Sequence, residues 1–241
     1  MNDCNSAAGF ATTHWSLVLS AGAVESPQAR SALEALCRSY WYPLYAFIRR
    51  RGYPEEDARD LVQSFFAHIL ESDFLARARR DKGRFRSYLL GALNYFLADE
   101  RSRDQSQKRG GQEVISIDAI DAEERYQLEP VDQMDAAKLF LRRWALTLVD
   151  QALRRLEAEM LLAGKERLFA RLEGFLIGEK GGGTYADAAV DLGLSEAAVK
   201  MAVSRLRQRC RELLREEIAQ TVPTPAEVDE EYRMLIAALR S

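Results

Sequence analysis

The sequence has few of the residues on which enzymes, disulfide-bonded proteins and metal sites depend. Its three cysteines, Cys4, Cys37 and Cys210, are far apart and form no CxxC pair, so we expect free thiols. The two histidines, His14 and His68, belong to no HExxH motif, and no nucleophile motif or paired-carboxylate metal pattern occurs. These absences argue against an all-α enzyme and predict no catalytic residue, no metal site and no cofactor.

Long apolar runs are also absent. No stretch of about 18 apolar residues occurs, which argues against a membrane-spanning helix. The first residues, MNDCNSAAGF, lack the basic and apolar regions of a signal peptide. We therefore expect a cytoplasmic protein without a membrane partner. The apolar fraction of 47% in 241 residues suffices for one large domain or two small ones.

Charge is distributed in blocks along the chain. The net charge of -3 by itself argues against nucleic-acid binding, because such domains usually carry a basic excess. However, residues 77–109 contain ten Lys or Arg and four acids, and residues 200–215 contain six Lys or Arg. Residues 113–135, which lie between these segments, contain eight acids and one base. Two separate basic segments predict two separate contacts with phosphate groups.

The periodicity of apolar residues predicts an all-α fold. Apolar residues recur at helical spacing, and no stretch shows the sustained alternation of a strand. The first half of the chain is expected to contain a helix from Ala32 to Arg50, a second that begins at Pro54, and a third after Gly83 that becomes polar from Asp99.

A polar, acidic segment separates two predicted helical domains. Gly110, Gly111 and Pro130, together with the scarcity of large apolar residues, predict a linker that is extended or only partly ordered. The chain is therefore divided into an N-terminal extension (1–27), a first helical domain (28–110), an acidic linker (111–137), a second helical domain (138–220) and a C-terminal extension (221–241).

The segment 184–214 has the pattern of a helix-turn-helix. Thr184 and Ser195 are predicted to cap its two helices, and Gly193 permits a left-handed turn residue between them. Ala189 lets the helices approach, and Val199 anchors the second against the first. The opposite face of the second helix is expected to enter a DNA major groove, unless this is an ordinary helical hairpin with an arginine-rich surface. The residues predicted to contact DNA are Ser195, Glu196, Ala197, Lys200, Met201, Ser204, Arg205, Arg207 and Arg209.

Three segments together resemble a known family. They are DARDLVQSFFAHIL (57–70), RFRSYLLGALNYFLADERSR (84–103) and the helix-turn-helix. Their order over residues 28–218 resembles the sigma factors of the extracytoplasmic-function (ECF) class, which contain sigma regions two and four and lack region three. The resemblance implies that the first domain is region two, which binds core RNA polymerase and the minus-ten promoter element. The second domain is then region four, which binds the minus-thirty-five element.

The resemblance also implies site residues in region two. The segment 57–70 is expected to dock on core RNA polymerase through Asp57, Asp60, Leu61, Gln63, Phe65 and Phe66. The segment after it is expected to hold unstacked promoter bases on aromatic and polar side chains beside basic ones. Its candidate DNA-binding residues are Arg84, Arg86, Tyr88, Asn94, Tyr95, Arg101, Arg103, Lys108 and Arg109. Phe96 is predicted to be core, since it shares a helix face with Leu89 and Leu93, whereas core and binding roles stay open for both tyrosines.

The sequence departs from the family pattern at two positions. Tyr95 stands where many members carry an asparagine that contacts a flipped base, and Asn94 comes one place earlier. Ala202 stands where an arginine is frequent in the recognition helix. An altered base preference is therefore expected at both promoter elements.

The C-terminal extension carries a group of acids followed by an apolar helix. Two roles are open for it: a packing tail, or an intramolecular inhibitor that folds back on region two or region four. An anti-sigma factor is the other candidate regulator. The competing function is a helix-turn-helix regulator that binds duplex DNA as a dimer on a palindromic operator, without acting as a polymerase subunit. A sigma factor is instead expected to be a monomer when free and to bind promoter DNA together with core RNA polymerase.

Overall fold

A computed structural model describes residues 27–71, 84–104, 122–127, 134–177, 183–222 and 224–240. This part of the chain is helical and contains no strand, so the predicted all-α fold is confirmed. None of the helices found there combines the length and the apolar character that crossing a bilayer requires. The helices are α1 (Pro27–Arg50), α2 (Glu55–Glu71), α3 (Phe85–Asp104), α4 (Ala122–Gln127), α5 (Ala136–Leu162), α6 (Glu166–Ile177), α7 (Tyr185–Leu192), α8 (Glu196–Ala219) and α9 (Val228–Arg240), with a 3-10 turn at Pro225–Glu227.

The chain divides into two compact units. Among the described residues, the first unit comprises those up to Trp144 and those from Ala219 to Glu227, and the second comprises those from Ala145 to Ile218 and from Val228 onward. The division falls inside α5 because the first turns of this helix, with Phe140 and Trp144, are buried in the first unit. The segment after α8 also belongs to the first unit, where the Phe85 N–H donates a hydrogen bond to the Thr221 carbonyl.

Helix α1 is the centre of the first unit. Residues 40–48 are all buried, as expected for a helix that is surrounded by its neighbours on every side. The ring of Tyr40 packs edge-on against Phe85 of α3, with 5.1 Å between centroids, and stacks on Phe140 of α5 at 6.3 Å. Phe65 of α2 contacts Phe96 of α3 with their centroids 5.5 Å apart. Phe96 is therefore core, as predicted, and aromatic side chains join α1, α2, α3 and the start of α5.

The acidic linker contains a helix that the sequence did not predict. Ala122 of α4 is buried, and the Glu123 carboxylate accepts a hydrogen bond from the Tyr45 hydroxyl at 2.5 Å. The same carboxylate forms an ion pair with Arg49 at 2.6 Å, and the Arg49 guanidinium lies 4.9 Å from the centre of the Tyr126 ring. The residues of α4 thus pack on α1, because a basic and aromatic surface is available there to an otherwise polar segment.

In the second unit, ion pairs reinforce an apolar stripe on α8. The stripe consists of Val199, Val203, Leu206, Leu213, Leu214 and Ile218, all of which are buried. Arg209 of α8 pairs with Glu159 of α5 at 2.7 Å. Arg155 of α5 pairs with Glu216 and Glu217 of α8, at 2.5 Å and 2.6 Å. These contacts hold the C-terminal half of α8 against α5. The first turns of α8 form the second helix of the helix-turn-helix.

Candidate nucleic-acid interface

Local hydrogen bonds build the helix-turn-helix. The Thr184 side chain accepts a hydrogen bond from the Asp187 N–H at 3.2 Å, and the Asp187 carboxylate accepts one from the Thr184 N–H at 2.7 Å. This reciprocal capping box starts α7, and the backbone hydrogen bond from Thr184 lowers the pKa of Asp187 below its usual value. Gly193 ends α7 with φ at +66°, and Ser195 caps α8 by accepting from the Ala198 N–H at 3.2 Å. Both predicted caps and the predicted turn are confirmed.

The apolar residues of the motif lie between its helices. Ala189 of α7 and both Val199 and Val203 of α8 are buried, which leaves the opposite face of α8 in solvent. The residues that the sequence assigned to DNA recognition on this face are all exposed, namely Ser195, Glu196, Ala197, Lys200, Met201, Ser204 and Arg205. They form a single surface, which we call the recognition face.

Lys200 is held in place on the recognition face. Its ammonium forms an ion pair with Glu196 at 2.6 Å and lies 5.8 Å from the centre of the Tyr185 ring. The hydrogen bond to Glu196 raises the pKa of Lys200 above its usual value. Met201, which is 56% exposed, supplies apolar area next to it. A cation, a hydroxyl at Ser204 and an apolar surface are the groups that read base edges in a major groove.

Arg207 and Arg209 do not join the recognition face. The Arg207 guanidinium donates a hydrogen bond to the Phe175 carbonyl at 2.8 Å. Arg209 donates two to the Glu159 carboxylate, at 2.8 Å and 2.7 Å, and the hydrogen bond with Glu159 raises the pKa of Arg209. Arg207, two positions beyond Arg205, points to another side of the helix. Arg209 lies one turn beyond Arg205, but its guanidinium binds Glu159. Both arginines therefore bind protein groups instead of extending freely toward phosphates, as the sequence had suggested.

The described contacts of α9 lie away from the recognition face. Asp229 pairs with Arg215 near the end of α8, and the Arg215 guanidinium lies 5.4 Å from the centre of the Tyr232 ring. Ten residues of α-helix separate Arg215 from Arg205, which corresponds to about 15 Å. In the second unit, then, α9 makes the contacts expected of a packing helix, and inhibition by the C-terminal extension stays a prediction.

A second candidate surface lies on α3. Tyr95 is 78% exposed, whereas Tyr88 is half-buried. The Asn94 side chain donates to the Leu90 carbonyl at 2.9 Å and accepts a hydrogen bond from Arg51. The Arg101 Nε donates to the Tyr53 hydroxyl at 2.8 Å. Asn94, Tyr95 and Arg101 are therefore available on the outside of α3.

The other basic residues predicted for this surface are placed differently or not described. Arg86 is only 6% exposed, and its guanidinium lies 5.1 Å from the centre of the Trp144 ring, so it is a core residue rather than a DNA contact. Its spacing from Leu89 and Leu93, which places all three on one helix face, was the signal that could have revealed this. Arg84 is half-buried. The side chain of Arg103 is not described, and Lys108 and Arg109 lie outside the described residues.

Replacement of Arg86 by methionine tests its assignment to the core. The variant keeps apolar volume over Trp144 but loses the cation, and we expect the free energy of unfolding to fall by about 1–2 kcal/mol. Because the buried Arg86 makes no phosphate contact, the salt dependence of DNA binding is expected to stay unchanged. DNA titrations at several salt concentrations measure this dependence. A weaker dependence of DNA affinity on salt concentration, with unaltered stability, would instead assign Arg86 to a phosphate contact.

The residues of α2 predicted to bind polymerase fall into two groups. Asp57 and Asp60 are exposed, and the side chains of Leu61, Gln63 and Phe66 are half-buried. Phe65 is completely buried against Phe96 and is not part of any surface. The exposed acids and the half-buried residues are the accessible residues of α2, and Phe65 holds this helix on the core.

Two residues of the turn between α1 and α2 were not predicted from the sequence to belong to a site. Arg51 contacts Asn94, and Tyr53 contacts Arg101, so both lie beside the candidate surface of α3. The three consecutive arginines at 49–51 were the only sequence signal for a basic site here. Comparison with known proteins adds nothing to these assignments, because no family model, no curated protein and no solved structure matches the chain.

Proposed function

We propose that the protein is an ECF-type sigma factor, a cytoplasmic subunit that directs core bacterial RNA polymerase to specific promoters and helps to open promoter DNA. The observation that carries the proposal is the capped helix-turn-helix, whose recognition face is exposed as one surface. In this proposal α8 lies in the major groove of the minus-thirty-five element. Arg205 and Lys200 are the side chains best suited to guanine or phosphate contacts, and Ser204 suits either kind of base pair.

The first unit supplies the remaining steps of the proposed function. The accessible residues of α2, among them Asp57 and Asp60, dock on core polymerase. The outer side of α3, with Asn94, Tyr95 and Arg101, binds bases of the minus-ten element after they unstack. Stacking of a base on an aromatic side chain is worth about 1–3 kcal/mol, which offsets the stacking that is lost when the duplex opens. The order of these parts in the chain supports a polymerase subunit rather than an isolated duplex-binding domain.

Assembly with core polymerase tests the proposal directly. The purified chain is expected to elute from gel filtration as a monomer when alone and with core RNA polymerase when mixed. The mixture is then expected to start transcripts in vitro from promoters of the source genome. A free chain that is a dimer, fails to elute with polymerase and protects a palindromic duplex would establish the competing function, a helix-turn-helix regulator.

Substitution of Arg205 by alanine tests the recognition face. One lost base or phosphate contact is worth roughly 1–3 kcal/mol, so we expect the affinity of the assembled polymerase for upstream promoter duplex to fall about tenfold. Lys165→Ala is the matched control, because Lys165 is an exposed cation of the same unit in the turn between α5 and α6. Fluorescence anisotropy with a labelled duplex measures both variants. Equal affinities of the two variants would show that α8 is not the helix that binds the major groove.

A further inference from the structure

The turn between α1 and α2 lies against the outer side of α3. Gly52, with φ at +89°, makes a tight reversal that suits glycine and places Arg51 and Tyr53 on either side of it. Arg51 donates a hydrogen bond to the Asn94 side chain, and Arg101 donates one to the Tyr53 hydroxyl at 2.8 Å. The Arg101 guanidinium also lies 5.2 Å from the centre of the Tyr53 ring. The turn therefore orients two residues of α3 that the proposed function assigns to DNA.

The chemistry of this combined surface fits an unpaired nucleic-acid strand. Tyr95, which follows Asn94 in α3, offers a ring that is mostly exposed, and Arg51 and Arg101 are exposed cations that contact Asn94 and Tyr53. Proteins bind single strands with aromatic rings on which bases stack, placed beside cations that follow the backbone phosphates. The Asn94 amide, which binds the Leu90 carbonyl and Arg51, retains a second N–H and a second oxygen lone pair for a base edge. Charge and ring exposure together favour an unstacked strand over an intact duplex, whose bases are not accessible for stacking.

A chain of polar contacts connects the acidic linker to this surface. One Arg49 nitrogen donates to the Tyr53 carbonyl at 2.7 Å, while two others bind the Glu123 carboxylate at 2.9 Å and 2.6 Å. Because Glu123 neutralises Arg49, this arginine acts as a brace for the turn and not as a free cation. The contacts thus run from Glu123 through Arg49 and Tyr53 to Arg101.

We propose that Arg51 and Tyr53 form one binding surface for single-stranded DNA with Asn94, Tyr95 and Arg101, and that Glu123 positions this surface through Arg49. The inference deepens the proposed function and rests on it, since the strand is that of the opened promoter. In this proposal the linker helix α4 has a structural role. Docking of α4 fixes the turn that carries Tyr53, and the turn fixes the guanidinium of Arg101 at the surface.

Binding of two labelled DNA probes by the complete chain with core RNA polymerase tests the proposal. One probe, the bubble probe, is a promoter duplex whose minus-ten element is mismatched and therefore permanently open. The other, the upstream probe, is a fully paired duplex that contains only the upstream half of the same promoter. Arg51→Gln and Tyr53→Ala are each expected to weaken binding of the bubble probe about tenfold, which corresponds to about one lost stacking or phosphate contact. Binding of the upstream probe stays unchanged. Lys138→Gln, an exposed cation of the same unit on α5, is the matched control and is expected to bind both probes normally.

Glu123→Gln separates positioning from general stability. Alone, this variant is expected to weaken bubble binding severalfold. Combined with Tyr53→Ala, it is expected to cause a smaller further loss than it causes alone, because the ring that orients Arg101 is then already absent. A purely structural role predicts independent losses that add. Tyr53→Phe keeps the ring but removes the hydroxyl that orients Arg101, and it is expected to fall between the unmodified chain and Tyr53→Ala.

The outcomes distinguish this inference from the proposed function. If the unmodified chain does not assemble with polymerase, the proposed function is overturned and the inference falls with it. If assembly is normal and Arg51→Gln and Tyr53→Phe bind the bubble probe like the unmodified chain, only the inference is overturned. Circular dichroism spectra of both variants establish that they are folded, so the test does not depend on Tyr53→Ala.

Discussion

Replacement of Phe65 by alanine is expected to lower the free energy of unfolding of the first unit by about 3–5 kcal/mol. The ring is completely buried, and its centroid lies 5.5 Å from that of Phe96. Removing it leaves a cavity between α2 and α3 that the surrounding aromatic side chains fill only in part. Urea denaturation followed by far-ultraviolet circular dichroism measures the loss.

Phe66→Ala is the matched variant for Phe65→Ala. The two rings are neighbours on α2, but Phe66 is half-buried, so its removal is expected to cost about 1 kcal/mol of stability. If α2 binds polymerase, Phe66→Ala weakens co-elution with core polymerase while the chain stays folded. A stable Phe65→Ala variant that no longer binds polymerase would contradict the core assignment and return Phe65 to the interface.

The parts of the fold that the sequence predicted are those that local physics determines. Leu89, Leu93 and Phe96 recur at helical spacing, and the same spacing makes them one buried face in the structure. Thr184, Gly193 and Ser195 were identified because caps and left-handed turns use hydrogen bonds within a few residues of the chain. Such signals need no knowledge of distant residues.

The parts that the sequence did not predict depend on residues far apart along the chain. Arg49 and Glu123 are separated by 74 positions, and the sequence around either residue does not indicate that the two form an ion pair. An acidic segment without large apolar residues is typical of a linker, yet an ion pair, a tyrosine hydroxyl and aromatic contacts bind about one and a half turns of it to α1. The division of the chain inside α5 has the same origin, since the partner of Trp144 is Arg86.

Charge alone was also an incomplete guide to the candidate interface. Arg205, Arg207 and Arg209 are identical side chains at alternate positions of one basic segment. Only Arg205 lies on the recognition face, while the others bind the Phe175 carbonyl and the Glu159 carboxylate. A sequence gives the number of cations, but which of them meet phosphate depends on the acceptors that the folded protein places nearby.

Valine at position 193 is expected to destabilise the second unit by about 2 kcal/mol, because a β-branched residue is strained in the left-handed conformation that Gly193 adopts at φ +66°. The Gly193 N–H donates to the Val190 carbonyl, and the Leu194 N–H donates to the Ala189 carbonyl, so relief of the strain breaks the hydrogen bonds that end α7. Apart from Gly193 and its two neighbours in the chain, no atom lies within 4 Å of the position that a Cβ would take, so the cost comes from the backbone conformation and not from a clash of the Cβ with another part of the protein.

Asparagine at the same position separates this backbone effect from any effect of side-chain size. Asparagine tolerates the left-handed region, so Gly193→Asn is expected to lose only a few tenths of a kcal/mol. Because the turn sets the direction of α8 relative to α7, Gly193→Val is also expected to weaken binding of upstream promoter duplex, while Gly193→Asn binds normally. Denaturation and duplex anisotropy measure the two effects on the same samples. Equal losses for both variants would mean that position 193 acts through its side chain and not through the turn that aims the recognition face.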